Sequence, residues 1–136
     1  MRNIYQNILN SIQNNEKLLA VLIDPEKIEF STISGFFQKV NASIATHIFV
    51  GGSTVPEDIT EALVIEIKKY TQLPIILFPG DVSQLSDKAD ALLFLSLLSG
   101  RNPEYLISKQ VASVSKLRHS NLEIIPTGYI LIENGK

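Results

Sequence analysis

Five apolar runs, each ended by a polar or glycine-containing group, divide the sequence into repeating units. These stretches are LLAVLI (18–23), THIFVGGS (46–53), LPIILFPG (73–80), ADALLFLSLL (89–98) and LEIIPTGYILI (122–132). Their apolar residues are continuous rather than alternating with polar ones, which is typical of strands buried on both faces of a parallel sheet. The pattern therefore predicts five buried parallel strands.

Segments with helical spacing of apolar residues lie before and between these runs. The predicted helices lie near 4–12, 31–40, 56–70 and 102–119. In the second, a Ser-Thr capping signal precedes one stripe of Ile33, Phe36, Phe37 and Val40. The third has acids in its first turn and lysines in its last, which the helix dipole favours. Alternating strands and helices indicate the α/β class.

Two α/β architectures fit about five such units. One is an open doubly wound sheet, which the length favours, and the other is the first part of a (β/α)8 barrel, which needs about 250 residues when complete. The barrel is favoured by the groups DPEK, GGS, FPGD, SLLSGRNP and PTGY, one at each strand's carboxyl end. In both folds that edge binds ligands. A barrel predicts strands in chain order, whereas a doubly wound sheet places strand one between strands two and three.

Composition narrows the function. The chain has 136 residues, 45% hydrophobic and 19% charged, which predicts one globular domain over 1–136. A net charge of −2 with scattered basic residues gives no reason to expect a nucleic-acid partner. There is no cysteine, the first residues do not resemble a secretory signal, and no apolar run approaches the roughly 20 residues of a membrane span. We therefore expect no transmembrane segment and a cytoplasmic location.

Asp24, at the end of the first strand, is the first candidate for chemistry. Its hard carboxylate suits Mg²⁺, which takes one or two protein oxygens and completes its shell with water and substrate phosphate. Alternatively, Asp24 and Pro25 simply open a turn. His47 and His119 fall toward the opposite end of the sheet and are predicted to be structural. Without cysteine, a zinc site or a Cys-His nucleophile is not expected, and phosphate and Mg²⁺ chemistry remains.

The GGST stretch after the second strand is the other strong candidate. Gly51 and Gly52 allow the backbone to approach a ligand closely, and the hydroxyls of Ser53 and Thr54 can meet a cation or a phosphate oxygen, although a tight turn explains the same residues. Further residues at the predicted carboxyl edge form a possible pocket edge: Pro79, Gly80, Ser96, Thr127 and Tyr129.

Taken in order, LIDPEK, GGST, PIILFPG, ADALLFLSLLSGRNPEYLI and IPTGYILIE resemble the geranylgeranylglyceryl phosphate synthase family. The likeness is to its second group, which includes heptaprenylglyceryl phosphate synthases. Members are TIM barrels that join a prenyl diphosphate to the hydroxyl of sn-glycerol 1-phosphate with Mg²⁺, the first ether-bond step of archaeal-type lipids. The resemblance implies a Mg²⁺-dependent prenyltransferase whose full-length form is a homo-oligomer.

The resemblance also assigns roles to residues. It implies that Asp24 and the Ser53 hydroxyl bind Mg²⁺, and that residues 51–54 bind the diphosphate. The family's glycerol phosphate site, a Tyr-x-Glu segment and later glycine-rich loops, has no counterpart before Lys136, and the general base is expected beyond it too. We therefore expect the N-terminal part of a longer protein, about five of the eight barrel units, carrying only the diphosphate half of the site.

Two alternatives stay open. A five-stranded flavodoxin-like module of the receiver type would use Asp24 near Mg²⁺, but it predicts an aspartate after strand three and a lysine after strand five, where the sequence has Phe78-Pro79-Gly80 and Thr127-Gly128-Tyr129. A non-catalytic half-barrel that pairs with another chain is the second.

Overall fold

The elements follow the predicted alternation of helices and strands. The computed structural model describes residues 3–52, 57–80, 84–99, 114–115 and 117–132. In chain order the elements are α1 (Ile4–Gln13), β1 (Ala20–Ile23), a 3₁₀ turn (Phe30–Thr32), α2 (Ile33–Asn41), β2 (His47–Val50), α3 (Glu57–Lys68), β3 (Ile75–Leu77), β4 (Ala91–Leu97) and β5 (Glu123–Tyr129). Most of the helix predicted over 102–119 lies outside the described residues.

The strands form one five-stranded sheet in the order β1-β2-β3-β4-β5, and every neighbouring pair is parallel. Each strand therefore lies beside the strand that precedes it in sequence, as in a barrel. The predicted chain order is confirmed. The doubly wound alternative, including the flavodoxin-like module, is wrong, because it requires β1 between two later strands.

The sheet has apolar cores on both faces. On one, here called the outer face, Ile23, Ile48, Val50, Ile75, Leu77 and Leu92 share a buried cluster with Ile33, Phe37 and Val40 of α2 and Leu63, Val64 and Ile67 of α3. On the other, the inner face, Ile76, Ala91, Leu93 and Ile125 cluster with Ile4 of α1. Burial on both faces explains the continuous apolar runs. It is complete in β3, whereas Leu22 of β1 and Ile124 of β5, on the two outermost strands, are exposed.

Two details of the predicted second helix are wrong. Ile33, Phe37 and Val40 are buried, but Phe36 is exposed and packs edge-to-face on Phe37 with ring centroids 5.4 Å apart. Thr32 occupies the N-cap position without capping the helix, because its hydroxyl donates to the Glu29 carbonyl oxygen at 2.7 Å. The buried stripe is therefore narrower than predicted.

A carboxylate from the last described strand holds the start of the first helix. Glu123 Oε1 accepts the Ile4 N–H at 2.7 Å and Oε2 accepts the Tyr5 N–H at 2.8 Å. These amides have no partner inside the helix, and a negative charge there complements the helix dipole. Since Glu123 begins β5, this contact fixes α1 at the amino end of the sheet, with Ile4 in the inner core.

Candidate functional site

Because the strands are parallel, their carboxyl ends meet at one edge of the sheet. The strands end at Ile23, Val50, Leu77, Leu97 and Tyr129. The described residues that continue from those ends include Asp24, Gly51, Gly52 and Phe78 to Gly80. Ser53 and Thr54 lie outside the described residues. The edge thus collects Asp24 with the first half of the GGST stretch.

The carboxylate of Asp24 organises the turn that follows β1. Its Oδ1 accepts the Glu26 N–H at 3.0 Å, and its backbone oxygen accepts the N–H groups of Lys27 and Ile28. The turn interpretation of Asp24 and Pro25 is therefore confirmed, and it does not consume the whole carboxylate. Oδ2 lies 3.6 Å from the ammonium of Lys27, whose side chain is 83% exposed while that of Asp24 is 23% exposed.

Gly51 lies beside Asp24 because the ladder between β1 and β2 continues past the strand ends. Ile23 pairs with Val50, and the Gly51 N–H donates to the Ile23 carbonyl oxygen at 3.1 Å. On its other side Gly51 touches the backbone of Phe78 so closely that a Cβ would overlap the Phe78 carbonyl oxygen. Glycine is required here because two backbone segments of the chain approach each other closely, which is one of the interpretations that the sequence allowed.

Sequence reasoning missed Gln84, which joins two of the loops at this edge. Its side chain is 1% exposed. Its Nε2 donates to the Gly52 carbonyl oxygen at 2.7 Å, and its Oε1 accepts the N–H groups of Gly52 at 3.2 Å and Gly80 at 3.3 Å. A single glutamine in a polar linker carries no local signal of such a role. Only its burial and its partners distant in sequence reveal it.

Aromatic side chains line the inner face next to this edge. The rings of Phe49 and Phe78 stack at 6.0 Å, and Phe78 meets Tyr129 edge-to-face at 5.8 Å. Thr127 is on the same face of β5 as Tyr129, and its hydroxyl donates to the Ile125 carbonyl oxygen at 2.8 Å. The edge therefore borders an apolar surface.

The remaining predicted pocket-edge residues lie at this end of the sheet in different ways. Pro79 and Gly80 follow β3 and are half-buried. Ser96 is near the end of β4, but strand alternation from Leu92 of the outer cluster places it on the outer face, opposite to Thr127. Pro79 and Gly80 thus neighbour the Gly51–Gly52 loop, and Ser96 does not share the inner face.

The donor set at the edge fits Mg²⁺ better than an ion held entirely by protein. Within the part of the chain that the structure describes, no group of three or more His, Cys, Asp or Glu side chains could hold a metal ion. One carboxylate on an open edge is the arrangement in which Mg²⁺ keeps water and phosphate oxygens as its other ligands. Asp24 could hold such an ion, with Ser53 following the Gly51–Gly52 loop in sequence.

His47 lies at the amino end of β2, away from this edge. Its Nδ1 is 2.7 Å from the Thr46 hydroxyl, which also bonds the backbone of Leu19. Burial lowers the pKa of His47 below the usual 6.5, which favours the neutral ring. These contacts fit the structural role predicted from the sequence.

Comparison with known proteins identifies close relatives. A family model described as the PcrB family matches residues 10–136. Geranylgeranylglyceryl phosphate synthase of Flavobacterium johnsoniae is 56% identical over 132 residues, covering 97% of this chain and 54% of the relative. The protein of the same name from Zunongwangia profunda is 52% identical over 135 residues, covering 99% of this chain and 57% of the relative.

Solved structures agree with the sequence relatives. The crystal structure of (S)-3-O-geranylgeranylglyceryl phosphate synthase from Thermoplasma acidophilum in complex with its substrate sn-glycerol-1-phosphate matches with a TM-score of 0.90 and 30% identity, over 99% of this chain and 55% of that one. This chain thus spans about half the length of the proteins it matches. Its sheet is part of a (β/α)8 barrel. No helix among the described residues is both long and apolar enough to cross a membrane.

Proposed function

This chain belongs to the PcrB family, and we propose that the protein containing it is a Mg²⁺-dependent prenyltransferase of the geranylgeranylglyceryl phosphate synthase type. The protein transfers a prenyl group from a prenyl diphosphate to the hydroxyl of sn-glycerol 1-phosphate. The observation that carries the proposal is the position of Asp24 beside Gly51, at the carboxyl edge of a sheet with barrel strand order. That edge is where barrels of this class bind substrate.

The diphosphate half of the reaction belongs to this edge. Asp24 would hold the ion through its carboxylate, with the Ser53 hydroxyl as a second oxygen. When bound, Mg²⁺ supplies positive charge that stabilises the diphosphate as it leaves. The exposed ammonium of Lys27, 3.6 Å from Asp24 Oδ2, is free to turn toward the diphosphate oxygens and add to that charge. Gly51 and Gly52 allow the chain to pass close to its neighbours at this edge, where we propose that residues 51–54 bind the diphosphate.

The prenyl chain needs an apolar surface next to the diphosphate. Phe78 and Tyr129 on the inner face border the same edge as Asp24 and offer that surface. A chain lying there keeps its first carbon at the edge, where the acceptor hydroxyl can reach it. A prenyl chain lying on this surface would keep water from the activated carbon and protect it from hydrolysis.

The transfer exchanges one carbon–oxygen bond for another. The glycerol hydroxyl oxygen forms a bond to the first prenyl carbon, the bond from that carbon to the diphosphate breaks, and inorganic diphosphate leaves with the electron pair. The hydroxyl proton passes to a general base that we expect beyond Lys136. Asp24 acts on the leaving group and not on this proton.

The test is to incubate the whole protein with geranylgeranyl diphosphate, sn-glycerol 1-phosphate and MgCl₂ and to measure ether product and released diphosphate. We expect product with sn-glycerol 1-phosphate, much less with its enantiomer sn-glycerol 3-phosphate, and none with EDTA. Longer prenyl diphosphates are assayed in parallel, because the chain length is not specified by the described residues. A protein that binds Mg²⁺ and pyrophosphate but makes no ether with any of them contradicts the proposal and supports a non-catalytic barrel.

A further inference from the structure

We infer that Gln84 is a positioning residue that holds the Gly51–Gly52 loop, through the backbone of Gly52, at the edge where the diphosphate is proposed to bind. This inference rests on the proposed function, because it concerns the same loop. Gln84 is among the most deeply buried polar residues that the structure describes, and it lies in the link between β3 and β4 rather than in either strand.

The geometry of the amide is specific. Its Nε2 donates to the carbonyl oxygen of Gly52 at 2.7 Å, while its Oε1 accepts the N–H of the same residue at 3.2 Å. The side chain therefore bonds both backbone groups of Gly52, as a neighbouring strand would. The second lone pair of Oε1 accepts the Gly80 N–H at 3.3 Å, which ties the loop after β3 to the loop after β2. These partners also fix which end of the amide is oxygen.

The end of the strand ladder explains why this clamp, the three hydrogen bonds from Gln84 to Gly52 and Gly80, is needed. The last described backbone bond between β2 and β3 joins the Phe78 N–H to the Val50 carbonyl oxygen at 2.8 Å. Beyond it come Gly52 and Gly80, residues with the greatest backbone freedom, whose ordering costs the most entropy. Gln84 supplies the hydrogen bonds that the strands no longer provide. These bonds hold Gly52, the last described residue before Ser53 in sequence.

Loss of this clamp should affect ligand binding more than it affects folding. Groups that orient the direct ligands of a metal typically change metal affinity or activity about 10- to 100-fold when removed. A buried glutamine with three hydrogen bonds could instead serve stability alone. A matched buried clamp at the opposite end of the sheet separates the two roles.

Thr71 provides that matched control. Thr71 is 7% exposed, and its hydroxyl donates to Asn41 Oδ1 at 2.7 Å. The Thr71 hydroxyl oxygen also accepts the Leu73 N–H at 3.2 Å. It precedes β3 at the amino end, away from Asp24 and Gly52. Thr71→Val keeps the side-chain shape and removes both bonds, so it lowers stability without touching the carboxyl edge.

The experiment compares wild type, Gln84→Met and Thr71→Val in the whole protein. Binding of inorganic pyrophosphate with MgCl₂ is measured by calorimetry, kcat and KM for the prenyl diphosphate by steady-state kinetics, and unfolding by urea titration. We expect Gln84→Met to weaken pyrophosphate binding and to raise KM about 10- to 100-fold, with a smaller change in kcat. Thr71→Val should change these quantities less than about twofold. If Gln84→Met does not fold, Gln84→Asn, which keeps the amide on a shorter stem, replaces it.

Amide hydrogen exchange of Gly52 and Gly80, followed by NMR, is an independent readout. Exchange of both should accelerate in the Gln84 variant and stay unchanged in Thr71→Val. The inference is overturned if Gln84→Met changes neither amide exchange nor pyrophosphate binding, or if Gln84→Met and Thr71→Val weaken pyrophosphate binding equally. Each of these results leaves the proposed function in place. If the wild-type protein neither binds pyrophosphate with Mg²⁺ nor forms the ether product, the proposed function itself is contradicted, and the inference that rests on it is contradicted too.

Discussion

Replacement of Gly51 by alanine tests the tight junction between β2 and β3 at the carboxyl edge. The alanine Cβ would overlap the Phe78 carbonyl oxygen and lie 2.6 Å from its carbonyl carbon. An ordinary van der Waals contact begins at 3.4 Å. The backbone segments at Gly51 and Phe78 must therefore move apart by at least the difference, 0.8 Å, to relieve the contact with the carbon, and by more to relieve the contact with the oxygen. Unlike a flexible side chain, backbone held in a sheet cannot turn aside.

The cost follows from that displacement. Overpacking a well-packed site costs about 1–3 kcal/mol, and a rigid backbone neighbour places this variant at the upper end. The adjacent bond from the Phe78 N–H to the Val50 carbonyl oxygen, 2.8 Å long, must also lengthen, which adds about 1 kcal/mol. We therefore expect Gly51→Ala to lower the free energy of unfolding by about 3–4 kcal/mol.

Urea unfolding followed by circular dichroism measures this loss, and Gly35→Ala is the control. Gly35 lies within α2, and a Cβ there would meet no heavy atom within 4 Å. In a helix interior, alanine is better than glycine by about 0.5–1 kcal/mol. The same substitution should thus have opposite signs at the two positions. Equal urea midpoints for Gly51→Ala and wild type would refute the close approach of Gly51 to the Phe78 backbone.

Three further changes test other parts of the structure. Asp24→Asn keeps the Oδ1 that accepts the Glu26 N–H, so folding should be retained, while calorimetry should show pyrophosphate with MgCl₂ binding at least about tenfold more weakly; an unchanged metal dependence would remove Asp24 from the site. Thr60→Val removes a hydroxyl that is buried without a hydrogen-bond partner in the described structure, so urea unfolding should show a gain of about 1 kcal/mol, absent in Thr60→Ser. Burial lowers the pKa of His47 below 6.5, so the unfolded chain binds the proton more readily than the folded chain. The urea midpoint should therefore fall as pH drops below about 6.5, and His47→Gln should make the midpoint less dependent on pH in that range. An equal pH dependence in both proteins would mean that the ring is not buried.

The positions of the strands could be predicted because burial on two faces leaves a continuous apolar run. Their limits could not, since an apolar residue does not reveal whether a partner strand lies beside it. Leu18 and Leu19 extend the first run but precede β1, and both are exposed. The order of the strands is also invisible locally, because a doubly wound sheet and a barrel use the same units. The resemblance to a barrel family favoured the arrangement that the sheet then confirmed.

At the candidate site, the residues found from sequence are those that follow a strand directly. Asp24 and Gly51 can be predicted because a residue directly after a buried parallel strand lies at the edge of the sheet that binds ligands. The turn interpretation of Asp24 is confirmed, and the ligand interpretation stays a prediction, because Oδ1 accepts the Glu26 N–H whereas Oδ2 faces the exposed Lys27 ammonium. Gln84 was missed because its bonds reach Gly52, 32 residues earlier, and no spacing rule predicts such a contact.

The bond between Glu123 and the first turn of α1 joins residues 119 positions apart, and this has a consequence for the order of folding. Closing a loop of that length costs about 4 kcal/mol of chain entropy, beyond a constant term. The helix is synthesised well before its anchor, because Glu123 follows Ile4 by 119 residues. At about 5–20 residues per second, α1 waits several seconds with Ile4 and Ile8 uncovered before β5 exists to receive it. Until β5 has been made, the apolar face of this helix is therefore exposed to proteases and to other apolar surfaces.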